Sequence, residues 1–201
     1  GGLVTLFGAM HRKGSEASCL GCHEVEKRAP ECAGCHGLMP EKTFSQKDCG
    51  VCHEIGAERL PALPIDDALM ESIADTAVRM RPERIKILAA EDIPEKVEIG
   101  VLADRYKPTI MPHRQIATAL AEKIQDSRMA AVYHQKETTL CAGCHHYSPA
   151  SLTPPECAGC HNINGSTAED GRPGLKGAYH GQCIGCHNLM GIEKPAATDC
   201  K

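Results

Sequence analysis

Six copies of Cys-x-x-Cys-His stand in this chain: Cys19, Cys22 and His23; Cys32, Cys35 and His36; Cys49, Cys52 and His53; Cys141, Cys144 and His145; Cys157, Cys160 and His161; Cys183, Cys186 and His187. Two cysteines at that spacing can form thioethers to the two vinyl groups of one haem, and the histidine that follows is then placed to ligate its iron. Zinc ribbons, thioredoxin-like sites and disulfide frameworks also use paired cysteines, but none of them requires the next residue to be histidine. With 11 His in 201 residues, a His after all six pairs by accident has odds on the order of 10⁻⁸, whereas haem attachment demands it every time. The chain reads as a carrier of six covalently bound haem c groups.

The elements that must position these groups are sparse. The chain has no Trp, two Phe and four Tyr, against 19 Gly and 13 Pro, so an ordinary aromatic and aliphatic core is hard to build. Porphyrins would supply the missing apolar surface, and covalent attachment would restrain the unfolded chain as a cross-link does. The expected fold is mainly irregular with a few α-helices: a multihaem cytochrome c of two trihaem modules whose core is haem. Thirteen Cys fit an oxidising compartment outside the cytoplasmic membrane, where haem is attached. A formal charge of −4 excludes a polybasic nucleic-acid or membrane-surface protein.

Residues 1–10 are short of the roughly 20 apolar residues a membrane span needs; they read as the remainder of a signal anchor or as a buried N-terminus. Residues 11–56 form the first trihaem module, with motifs too closely spaced for long helices. Residues 57–130 are a haem-free helical connector. Within it, Asp66-Asp67 would cap a helix running to about Met80, residues 96–102 alternate weakly like a strand, and a clearer helix from about Pro112 to Arg128 puts His113, Ile116, Ala117, Leu120, Ala121 and Ile124 on one face. Residues 131–201 are the second trihaem module, with an extended stretch at 148–155 and a Gly-rich turn region at 165–177. Pro30-Glu31-Cys32-Ala33-Gly34-Cys35-His36 recurs letter for letter as Pro155-Glu156-Cys157-Ala158-Gly159-Cys160-His161, which points to duplication.

The motifs leave five histidines for the second axial position: His11, His113, His134, His146 and His180. His11 and His134 each precede a module's first motif, His146 follows His145 and so points to another iron, and His113 faces inward by helix phase. Five ligands cannot serve six irons. One haem therefore has another ligand, with Met39, Met111 and Met190 as candidates, or an open position. By count that haem belongs to the first module. Cys200 has no sequence partner and is left as a free thiol, a ligand or the start of a further motif.

The run Tyr133-His134, Cys141 to His146, Cys157 to His161, Tyr179-His180, Cys183 to His187 and Thr198-Asp199-Cys200 resembles class III cytochromes c, the cytochrome c3 family. Pro108 to Gln115, Ser148 to Pro155 and Gly171 to Lys176 are similar to high-molecular-weight multihaem cytochromes and to the hexahaem subunit of periplasmic menaquinone reductase complexes of sulfate-reducing bacteria. The resemblance implies that His134 serves the iron of His145 and His146 that of His161. The family's partner for His180 lies on a motif that would begin at Cys200 and is absent here. Glu137 stands where the family has a second entry histidine, so the partner of His187 is open, with His113 the first choice.

The resemblance implies an electron-transfer subunit, not itself an enzyme, that takes electrons from periplasmic cytochrome c3, fed by hydrogenase or formate dehydrogenase. It would pass them to iron–sulfur and integral membrane subunits that reduce menaquinone. It would be periplasmic, anchored to or docked on the cytoplasmic membrane. The rivals are a multihaem reductase working at the iron without a distal histidine and a free-standing periplasmic shuttle. Against the reductase, no Cys-x-x-Cys-Lys motif occurs and no Arg, Tyr and His cluster surrounds any one motif.

Overall fold

The computed structural model describes residues 19–39, 82–149, 151–165 and 167–194, together with Gly14. The third motif, His11, the expected helix at 66–80, Cys200 and the segment 1–10 lie outside the described residues, as does the side chain of Cys19. Five α-helices run α1 (Cys19–Glu26), α2 (Pro30–His36), α3 (His113–Ile124), α4 (Arg128–Tyr133) and α5 (Leu175–Leu189). One hairpin pairs β1 (Val97–Ile99) antiparallel with β2 (Thr109–Met111), Glu98 opposite Ile110. Short 3₁₀ turns carry Leu140–Gly143 and Cys157–Gly159. This is the expected architecture of few helices, little sheet and much irregular chain. Among the described residues no helix is long and apolar enough to cross a membrane.

Local chemistry sets the boundaries. Pro30 opens α2 at a position where its missing N–H costs nothing. The expected helix over 112–128 stops at Ile124, because Ser127 adopts an extended conformation and its Oγ accepts from Ala130 N at 3.1 Å, starting α4 as a new helix. Of the apolar stripe on α3, Ala121 and Ile124 are buried but Ile116 is 42% exposed. The strand-like stretch at 96–102 is the hairpin strand β1; its partner β2 carried no alternation long enough to see.

The packed core is small. Ile85, Ile124, Ala130 and Ala131 form one cluster with Leu140 against it. Leu175 anchors α5 and is 0% exposed. The turn region at 165–177 thus ends three residues early, with Leu175 N bonding Asn162 O at 2.9 Å. Gly174 crosses Gly165 so closely that a Cβ on it would meet the Gly165 backbone at 2.5 Å. Replacing Leu175 by alanine should cost about 2–5 kcal/mol, read as a lowered thermal midpoint of the holoprotein.

α2 packs directly on α5. A Cβ on Gly37 would meet Leu189 Cδ1 at 2.7 Å, and one on Gly185 would meet Leu38 Cδ2 at 2.8 Å. The groups of motifs at the two ends of the chain therefore share an interface that sequence order does not display.

Candidate haem-binding site

In the fourth and fifth motifs a tight turn lifts the histidine over the first cysteine: His145 N bonds Cys141 O at 2.8 Å and His161 N bonds Cys157 O at 2.9 Å. The loop after each motif then returns a proline carbonyl to the same ring. His145 Nδ1 lies 3.3 Å from Pro155 O, and His161 Nδ1 lies 2.8 Å from Pro173 O. A carbonyl only accepts, so each Nδ1 carries the proton and each Nε2 keeps its lone pair. That is the arrangement by which outer hydrogen bonds orient a metal-ligating histidine. The chain leading into Pro155 and the crossing at Gly174 both serve this purpose.

The rings also meet in pairs. His36 and His134 have centroids 6.0 Å apart, His113 and His145 6.3 Å, and His146 and His161 6.0 Å. A nitrogen bound to a metal sits at about 2.0–2.1 Å, so two imidazoles trans on one ion have centroids roughly 6 Å apart. The three separations fit that value. Each of these three pairs joins a motif histidine to one of the five spare ones, whereas a fourth contact at similar range, His23 with His36 at 5.7 Å and nearly perpendicular, joins two motif histidines. His146 faces His161, but His134 faces His36 rather than His145, and His113 faces His145 rather than His187. The physical reason is α4, which delivers Tyr133 and His134 to the first group of motifs, while the head of α3 fills the place beside His145.

Burial suits neutral ligands. Desolvation lowers His134 to about 4, with His36 and His23 adding to the effect. Desolvation is also the main cause that lowers His23, His36 and His145. The Nδ1 atoms of His23, His113 and His134 are buried without a hydrogen-bond partner, an arrangement costing about 1–3 kcal/mol per group unless another partner holds the ring. His23 is stacked on Tyr133, with centroids at 4.3 Å.

The thiols point the same way. Burial, then Cys186 and Cys32, pushes Cys35 up to about 11. Burial, then Cys35 and Cys186 among other thiols, pushes Cys144 up to about 12 although its surface is exposed; both hold if that surface opens into an internal cleft. A thioether at these positions would leave no buried charge. Cys22, Cys32, Cys35, Cys141, Cys144, Cys157, Cys160, Cys183 and Cys186 are all free of disulfides. Among the described residues no three His, Cys, Asp or Glu converge as a metal-ion cage. The donor set fits haem c.

Of the remaining candidates, His187 and Cys183 lie on α5, and His180, one turn earlier, is exposed. Met39 lines a cleft with Cys32, Cys35, His36 and His134, and Met190 is buried, packed on α2 beside Cys186. Met111 is on β2. Sequence reasoning missed the carbonyls of Pro155 and Pro173 and the ring of Tyr133; the recurrence of a proline 10 or 12 residues after the motif histidine was the available signal. Ser127→Ala should cost about 1 kcal/mol and, because α4 ends at His134, should broaden the signal of the haem that His134 faces, checked by thermal melting with EPR.

A model of the class III cytochrome C family matches residues 109–201. The chain is 44% identical, over 98% of its length, to the high-molecular-weight cytochrome c of Nitratidesulfovibrio vulgaris (strain Hildenborough), of which it covers 37%. It is 38% identical over all its length to the nine-heme cytochrome c of Desulfovibrio desulfuricans, of which it covers 66%. The chain thus spans less than two thirds of these curated relatives. Among solved structures, the high-molecular-weight cytochrome c of Desulfovibrio vulgaris (Miyazaki F) superposes with a TM-score of 0.80 at 42% identity, over 98% of this chain and 39% of that one. A nonahaem cytochrome c gives 0.80 at 38% identity, over 98% and 73%.

Proposed function

Since the chain belongs to the class III cytochrome c family and is a multihaem c-type electron-transfer cytochrome, we propose that it is a six-haem conductor that links periplasmic cytochrome c3 to a membrane-associated, menaquinone-reducing complex. The observation that carries this reading is the set of three histidine pairs at 6.0–6.3 Å. An iron with imidazole on both faces has no position for a reactant, so such a site exchanges electrons and does no bond chemistry.

Haem, when bound, supplies a one-electron iron couple. The chain's own residues do the rest. The cysteines would tether each haem, Pro155 and Pro173 orient His145 and His161, and α3 and α4 bring His113 beside His145 and His134 beside His36. Burial favours the neutral form of His134 and His145, the form in which an imidazole ligates. The count of six rests on the six motifs of the sequence. The periplasmic setting, the cytochrome c3 donor and the iron–sulfur and membrane partners rest on the family resemblance and on where covalent haem is attached.

The test is direct. Purified holoprotein mixed with cytochrome c3, hydrogenase and hydrogen should be reduced at all its haems, and addition of membranes containing the partner subunits and a menaquinone analogue should reoxidise it. A protein that dithionite reduces but cytochrome c3 does not would contradict the proposed donor. Turnover of a nitrogen or sulfur oxide by the protein alone would favour the reductase instead.

A further inference from the structure

We propose that the second motif, Cys32 to His36, is the branch point of the electron path, where electrons entering the chain divide between its two ends. This rests on the electron-transfer reading above. In sequence order the second motif has only the first and third as neighbours. In space α2 also meets two motifs from the far end of the chain. A Cβ on Gly143 would lie 3.0 Å from Cys35 Sγ, which seats the fourth motif against the second. A Cβ on Gly34 would lie 3.1 Å from Cys186 Sγ and would run into Met190, which seats the sixth motif against the second. The ring of His36 stands 5.7 Å from that of His23, bringing in the first.

The fourth and sixth motifs also touch each other, since Gln182 on α5 reaches Gly143 O at 3.5 Å and Cys144 Sγ at 3.8 Å. The fifth motif joins at the next remove. His146, which faces its His161, is bonded in the chain to His145 of the fourth motif, and Tyr179 of α5 bonds Cys157.

The meeting of sulfurs matters because each thioether marks the edge of a conjugated ring. Where Cys35, Cys144 and Cys186 gather, the edges of three redox groups gather too, and electron transfer weakens steeply with the gap between edges. With haem bound, Cys32, Cys35 and His36 would hold a one-electron couple beside those held at the first, fourth and sixth motifs, and exchange between them would make or break no bond and move no proton. The electron is supplied by a low-potential haem protein.

The holoprotein should show this as a pattern of redox couplings. In a stepwise reduction followed by NMR of the haem methyl groups, reduction at the second motif should shift the midpoints at the first, fourth and sixth. Reduction at the fifth should act chiefly on the fourth. Gly34→Ala should weaken the coupling to the sixth motif and leave that to the fourth. Gly143→Ala should do the reverse. Coupling of the second motif to a single neighbour in the unaltered protein would overturn the proposal, and so would two variants that weaken all couplings alike. If Gly34→Ala fails to assemble, the unaltered protein's pattern still decides. Failure of cytochrome c3 to reduce the protein would leave these couplings intact, so the two readings fail separately.

Discussion

Replacing His134 by alanine should convert one low-spin haem to a high-spin one without changing the number of haems attached. His134 follows α4 with its ring 6.0 Å from that of His36 and belongs to no Cys-x-x-Cys-His motif, so attachment does not depend on it. The affected iron should be the one held by His36. The family resemblance pointed to His145, and assigned NMR of the variant separates the two. The methionine variant is the sharper probe, because it keeps the iron six-coordinate and raises its potential by a substantial part of the roughly 0.8 V that axial ligands command. An unchanged low-spin spectrum in His134→Ala would show that this ring serves no iron.

Haem-free protein should lose nearly all of its helix signal in far-UV circular dichroism and show collapsed amide dispersion in NMR. The buried apolar residues among those described are few and small: Ala33, Ala121, Ala130 and Ala131 beside Ile85, Ile93, Ile124, Leu175 and Met190. Helices of 8, 7 and 6 residues such as α1, α2 and α4 are well below the length at which isolated helices hold in water. They need a surface to lie on. Covalently bound haem would supply one, and a chain with 3% aromatic residues does not. A cooperative thermal transition in the haem-free form would refute this.

The chemistry of the chain was legible because it is written in contiguous residues. Each Cys-x-x-Cys-His is complete within five positions, and no tertiary contact is needed to recognise it. The helix at α3 was legible from its period, and its end was misplaced only because Ser127 restarts the chain as α4 instead of continuing. The facing of His146 and His161 was implied by the family resemblance, while that His146 turns away from the iron of His145 was also readable from their adjacency. The pairings of His134 and His113 were not, because they depend on how α3 and α4 fold back, and distance along the chain carries no such information. The same holds for the packing of α2 on α5. It is made by Gly34, Gly37 and Gly185, which register in a sequence only as small residues. The count of distal ligands survives the exchange: His134 passes to the first group of motifs and His113 takes its place beside His145, so one iron of the first group still has no histidine assigned from the sequence.

The most direct test of the account is low-temperature EPR of the oxidised protein, with a pyridine haemochrome count on the same sample. Six haems, five of them low-spin with two histidines and one high-spin or histidine–methionine, are expected. Predominantly high-spin signals, or fewer haems than motifs, would contradict the claim that the ring pairs of His36 with His134, His113 with His145 and His146 with His161 hold iron between them.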